Sequence, residues 1–380
     1  MTTRPKGIPL LPWLAMLLPL TAPALQADTD LLEQPSTASP LAQHALLLDL
    51  ADTGSRLVAV GERGHILYSD DDGGQWQQAS TPSIITLTAV YFPTADVGWA
   101  VGHDGLVLHS SDGGNSWTRQ LDGFAANRLV IERFETLIAE TEAALADVDA
   151  EADADEAERL QQRLDDLEYR LEEARIAGEE GATKPFLDLW FANEREGFIV
   201  GAYGLFFRTE DGGRSWSPWF EHIDNEFGYH YNAITEAGDS LLMAGEAGTL
   251  YRSDDTGRSW QALESPYEGS WFGLTGCDDS VLVYGLRGNL FRSGDRGDSW
   301  QQVPLENTAT LTGGACGNEA LVLTTAAGQV FESRDGGHSF SPLRDDHSPY
   351  SAAVLHDERL ILVGLDGVRS LTQPDAEATP

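Results

Sequence analysis

The sequence predicts an all-β chain, a seven-bladed β-propeller interrupted once by an inserted antiparallel α-helical coiled-coil hairpin. Three observations lead there. An octet with Ser or Thr, Asp, Gly and an aromatic at its first, third, fifth and eighth positions recurs six times. A Gly-x-x-Gly tetrad precedes the octets at the same interval. One long stretch abandons the β pattern for a helical period.

The octets begin at Ser69, Ser110, Thr209, Ser253, Ser293 and Ser333. Their specified residues are Asp71 and Trp76, Asp112 and Trp117, Asp211 and Trp216, Asp255 and Trp260, Asp295 and Trp300, Asp335 and Phe340. Steps between aromatics are 41, 44, 40 and 40 residues, and the single step of 99 must hold an insertion. The tetrads stand at Gly61/Gly64, Gly102/Gly105, Gly201/Gly204, Gly245/Gly248, Gly285/Gly288 and Gly364/Gly367, with Thr325 replacing the first glycine of a further copy. That makes seven units, the last abbreviated. β-rich runs such as Leu57–Val60 and His65–Tyr68 flank each tetrad, so two residues between glycines predict a tight hairpin in which glycine takes the positive φ. A strand opening each unit and one starting at the aromatic bring the count to four, a propeller blade at a period near 40. Closing the ring removes the exposed sheet edges. The expected boundaries are a signal peptide over 1–27, a linker over 28–43, blades 1–2 over 44–123, the insertion over 124–184, blades 3–7 over 185–373 and a tail over 374–380.

The signal peptide rests on Arg4 and Lys6, the apolar run Ile8–Leu20, and small residues at Ala22, Ala24 and Ala27, which place cleavage after Ala24 or Ala27. The run is too short and Pro-rich for a good membrane span, and a periplasmic address is expected. Removing Arg4 and Lys6 leaves 22 basic against 61 acidic residues, a net charge of −39. Such a surface repels phosphate backbones and anionic headgroups, so neither nucleic acid nor direct lipid binding is expected. The two cysteines, Cys277 and Cys316, exclude a disulfide scaffold or Cys-cluster zinc fold. They fall near the ends of the first strands of units five and six, where either a bridge or two thiols would fit.

In the insertion, Val130, Phe134, Leu137, Thr141, Leu145 and Val148 step by threes and fours, as do Leu160, Leu164, Leu167, Leu171 and Ala174. Two helices folding back would form a rod about 35 Å long. From Arg128 to Glu180 it carries 18 acidic and 6 basic residues. Asp149, Glu151, Asp153 and Asp155 fail as a calcium loop, because Ala154 and Leu160 stand where an EF-hand needs Gly and Glu. No metal and no cofactor are expected. The rod reads as a docking arm.

The octet matches the Asp-box, or BNR repeat. With the Gly-x-x-Gly hairpin ahead of each box, the chain resembles the photosystem II stability/assembly-factor-like propellers over roughly residues 44 to 373, outside the insertion. The resemblance implies a non-enzymatic assembly or stability role on an integral inner-membrane protein or complex. The photosystem-associated members typically carry a positive patch, whereas this chain is strongly acidic. That departure counts against photosystem subunits as clients, and the resemblance to similar propellers outside phototrophs implies transport machinery such as an RND-type exporter.

Turn chemistry alone explains every specified box position, so the boxes are read as structure. Sialidases share them, yet the Phe/Tyr-Arg-Ile-Pro motif is absent, and Arg208, Arg252, Arg292 and Arg369 occupy one phase on the third strand. No other catalytic motif is present, and no catalytic residue is expected. A glycan-binding or sialidase-like propeller and a small-molecule binder are the alternatives. The face shared by hairpins and interblade connections is the expected partner surface. It gathers Arg63, His103, Tyr203, Phe227, Tyr229, Tyr231, Tyr267, Trp271, Phe272, Arg287 and Tyr350, a composition suited to interface hot spots.

Overall fold

The computed structural model describes residues 30–149, 151–357 and 359–372. The expected signal peptide and the tail over 374–380 lie outside the described residues. Seven antiparallel sheets, six of four strands and one of three, take their strands in consecutive order. Inner strands span Leu47–Asp52, Leu87–Tyr91, Phe186–Phe191, Tyr231–Ala237, Trp271–Cys277, Leu311–Cys316 and Tyr350–His356. Each contacts the next around a closed ring, and the seventh contacts the first. The three-stranded sheet is blade 7.

Apolar residues of the inner and second strands fill the spaces between blades, as in the cluster of Trp99, Phe186, Ile199, Phe207 and Trp216. Polar clasps at the inner strands join the blades in turn. The Val90 N–H donates to Asp49 (2.8 Å), Thr88 Oγ1 to the Phe186 carbonyl (2.8 Å), and the Ile234 N–H to Asp188 (2.8 Å). Asn232 Nδ2 donates to the Trp271 carbonyl (2.7 Å), and Thr312 Oγ1 to the Tyr350 carbonyl (2.6 Å). Between blades 5 and 6 the clasp is a Cys277–Cys316 disulfide, with Cα atoms 5.8 Å apart. Between blades 7 and 1, His356 Nδ1 lies 2.7 Å from an Asp52 oxygen.

The hairpins differ from the expected two-residue turn. In blade 1, Gly61 is extended (φ −176°) and a 3-10 turn over Glu62–Gly64 follows, with Arg63 at φ 56°. Gly61 is required by crowding, since a Cβ there would lie 2.1 Å from the Leu46 carbonyl oxygen. Between second and third strands, only blade 7 has two residues, Leu365 and Asp366.

The octet turns join third to fourth strands. In all six, the first hydroxyl donates to the Asp Oδ1 and accepts the fifth-position N–H, while the seventh-position N–H donates to the same carboxylate. In blade 3 these bonds are Thr209 Oγ1 to Asp211 (3.0 Å), Gly213 N–H to Thr209 (2.8 Å) and Ser215 N–H to Asp211 (2.9 Å). The fifth-position glycine is left-handed and faces the preceding blade. At Gly257 (φ 79°) a Cβ would sit 2.2 Å from the Phe198 ring. Side chains of the preceding blade reach these turns too, Arg56 donating to the Gly113 carbonyl and Arg292 to that of Gly336. The octets therefore interlock neighbouring blades.

The insertion forms α1 (Gly123–Asp147) and α2 (Ala154–Glu180). Phe134, Leu137, Leu167 and Leu171 make the seam. Asp149 and Asp153 accept backbone N–H bonds at the tip, which is turn and cap chemistry. Ahead of blade 1, residues 30–44 lie against the ring. Leu32 packs among Ile85, Leu106 and Trp117, and the Ser36 N–H donates to the Thr81 carbonyl (3.1 Å).

Candidate docking face

Each hairpin tip meets the connection leading into the next blade. A Cβ on Gly64 would meet the Ser83 carbonyl, one on Gly105 the backbone of Gly123, and one on Gly248 the Tyr267 carbonyl. Hairpins and connections therefore share one face, and the helical arm leaves from it. At its root, Asp122 caps α1 by accepting the Ala125 N–H (2.9 Å), and Asn127 Nδ2 ties α1 to the Gly181 carbonyl after α2 (2.9 Å).

The arm is not a free rod at this end. Phe134 stacks on Phe220 of the blade 3–4 connection, with centroids 4.6 Å apart. Arg133 donates two 2.7 Å bonds to Glu221 of the same connection, the bidentate geometry that makes such pairs directional.

The fastened arm leaves a cleft of about 410 Å³ between α1, α2 and the segment from Phe220 to Tyr231. Val130, Phe134, Ala174, Leu205 and Ile223 supply apolar wall. Tyr169, Tyr203 and Phe227 stand at its lip, 64%, 61% and 75% exposed. Large apolar side chains held in water at a concave site mark a binding surface. Phe227 is presented by a loop that Asn225 staples shut with two 2.9 Å bonds to the Tyr229 backbone. Lys184 lies over the Tyr203 ring at 5.5 Å, and burial pulls its amine below the usual lysine range against the opposing pull of Glu180 and Glu173.

The cleft brings together Tyr203, Phe227 and the edge of Tyr231 from the expected partner face. Arg63, His103 and Arg287 are exposed at separate hairpin tips. Tyr229 is half-buried beside Phe227, Tyr267 half-buried beside Trp271, and Phe272 is 41% exposed at the central channel.

Three residues are corrected. Tyr231, Trp271 and Tyr350 are 1%, 0% and 3% exposed and open the inner strands of blades 4, 5 and 7. They take the place of Leu47, Leu87, Phe186 and Leu311 in the other blades, all fully buried. They are core, because that position points between blades.

The octet carboxylates lie at the outer edge. Hydrogen bonds hold them below the usual carboxylate range, chiefly from Ser339 at Asp335 and from the Gln75 N–H at Asp71. The turn itself accounts for these bonds: at Asp71 both end on one carboxylate oxygen, Oδ1. Trp117 and Trp216 are buried; Trp76, Trp260, Trp300 and Phe340 are half-buried.

The central channel holds a feature the sequence reading missed. Its cavity of about 500 Å³ touches all seven inner strands and contains Asp49 and Asp188. Burial pushes them up to about 6 and about 8, against the lowering effect of backbone N–H bonds. A charged residue two places into an inner strand, where other blades carry Ala or Gly, is the signal that was available. Among the described residues lining the channel, none is Arg, Lys or His.

The family model of the photosynthesis system II assembly factor YCF48 matches residues 29–123 and 157–268, more than half of the chain. The chain belongs to the YCF48 assembly-factor family. Its octets are the BNR-type repeats of that family. Among curated proteins none matches it. Solved structures share its fold at low identity. YCF48 bound to D1 peptide is 14% identical, with a TM-score of 0.58 over 88% of this chain and 95% of that one. YCF48 from Cyanidioschyzon merolae is 14% identical, at 0.60 over 88% and 98%. The WD40 β-propeller domain of Doa1 is 10% identical, at 0.59 over 90% and 97%.

Proposed function

We propose that this member of the YCF48 family is a non-enzymatic periplasmic scaffold that docks a client through the cleft at the root of its arm. The client is an integral inner-membrane protein or complex, with an RND-type exporter ranked first, and the scaffold helps it assemble or stay intact. The observation that carries the reading is the cleft: a rigid ring and a fastened acidic arm hold Tyr203 and Phe227 in water around an apolar floor. Family membership supports an assembly role, and the similar YCF48 structure holds a peptide. The octets act as Asp boxes in a purely structural sense, with their carboxylates spent on turn bonds. A sialidase-like reading would need an arginine cluster in the channel, and the described lining has none.

The test is a crosslinked pull-down of the tagged protein from detergent-solubilised membranes. The controls are a chain lacking residues 125–182 and a Phe227→Ser variant. Recovery of an integral membrane protein by the intact chain, lost in both controls, is the expected result. Recovery undiminished in both would place docking elsewhere, and recovery of no membrane protein would overturn the scaffold reading.

A further inference from the structure

The seam between blades 7 and 1 is chemically unlike the other six. Nothing in the chain leads directly from blade 7 to blade 1, and blade 7 has only three strands, so the ring closes there by packing and side-chain contact without a covalent connection. His356 ends the inner strand of blade 7 and is 9% exposed. Its Nδ1 lies 2.7 Å from Asp52 Oδ2, at the end of the inner strand of blade 1. That contact fixes the ring and turns Nε2 outward, 3.3 Å from Asp72 Oδ1 in the first octet turn. Asp357 follows on the other side. Donor atoms of Asp72, His356 and Asp357 lie within 4.8 Å of one another, and both carboxylates are exposed.

Three carboxylates surround one imidazole here. The arrangement has two layers: the Asp52 carboxylate orients a buried histidine by one nitrogen, and the same imidazole converges with two exposed carboxylates on its outer side. A metal-binding histidine is held in this way, its far nitrogen engaged by a carboxylate that sets tautomer and ring direction. Imidazole with carboxylates suits a borderline-soft divalent ion and gives little to calcium or magnesium, which prefer all-oxygen shells. An ion on Nε2 would draw an oxygen of each exposed carboxylate to about 2 Å, from donor atoms that already lie within 4.8 Å of one another.

The geometry points to a divalent transition-metal site of the Zn2+ class at the blade 7–blade 1 seam. His356 Nε2, Asp72 and Asp357 are its protein ligands, water completes the shell, and Asp52 is the positioning residue. An ion there would bridge the octet turn of the first blade to the last inner strand, adding a crosslink where the ring has no chain connection.

The test uses the purified full chain after chelator treatment, titrated with Zn2+ by calorimetry and followed by thermal melting. One Zn2+ per chain is expected, with a melting temperature raised by about 5 °C at a hundredfold excess over Kd. Asp357 makes no hydrogen bond among the described residues, so Asp357→Asn should melt as the parent does without metal and lose at least tenfold in Zn2+ affinity. Asp52→Asn should lose 10–100-fold, roughly the usual effect of removing such an orienting partner. Three outcomes would overturn the site: no saturable single-equivalent binding, full affinity in Asp357→Asn, or equal stabilisation by Ca2+ at the same concentration. The last would mean simple neutralisation of an acidic surface.

Discussion

At the outer edge of the ring and on its candidate docking face the same backbone recurs under opposite rules for its side chains. The six octet turns keep hydroxyl, carboxylate and glycine in place and repeat the same hydrogen bonds, as in blades 2 and 5. On the docking face, the left-handed residue of the hairpin tip recurs at φ 53–58° in five blades, yet it is Arg63, Asp104, Tyr203, Ala247 and Arg287 in turn. Where side-chain chemistry repeats with the backbone, it is holding the blades together. Where only the backbone repeats, its side chains are free to differ, and a specific surface can be written there. The arm root is the extreme case, since one connection has been replaced by two helices.

That contrast can be broken by substitution. The largest expected effect is Trp216→Ala, which empties a buried site between blades 2 and 3 and should cost roughly 3–5 kcal/mol in denaturant unfolding. A loss below about 1 kcal/mol would mean that the octet aromatics are not structural. Next comes Asp112→Ala. It orphans the Ser116 N–H (3.0 Å) and the hydroxyls of Ser110 (2.9 Å) and Ser116 (2.6 Å), and a cost of about 1–2 kcal/mol is expected by the same measurement.

The channel carboxylates give a pH-dependent test. Asp188 is pushed up to about 8 in the fold, so between about pH 4 and 8 the folded chain holds a proton that the unfolded chain has lost. Stability from this group is therefore full at low pH and falls as pH rises through that window. Asp188→Asn should flatten that part of the profile of melting temperature against pH. An unchanged slope would show that Asp188 is ionised in its clasp to Ile234. The smallest effect on stability is predicted at the lip of the cleft. Phe227→Ala should change unfolding free energy by no more than about 0.5 kcal/mol while reducing client capture.

Much of the molecule was legible because its signals are local. An octet is a turn whose hydroxyl and carboxylate hydrogen bonds repeat within eight residues, and a heptad seam needs only its neighbour helix. Legibility failed where a residue's partner comes from another blade. Tyr231, Trp271 and Tyr350 look like rim aromatics in their own connections; only alignment with Leu47, Leu87 and Leu311 shows that they open inner strands. Asp49 and Asp188 are single carboxylates in apolar runs, and their meaning lies in the Val90 and Ile234 amides they accept from the next blade.

By itself, then, the chain's order of residues determined the repeat, the number of blades, the position of the arm and the place of the octet turns. Each follows from periodicity and short-range turn chemistry. Tertiary structure alone decided that Cys277 bridges Cys316, that Phe134 fastens the arm to Phe220, and that His356 meets Asp52 across 304 positions of sequence. Closing a ring is what brings the last strand against the first, and no local pattern records which side chains will face each other when it does.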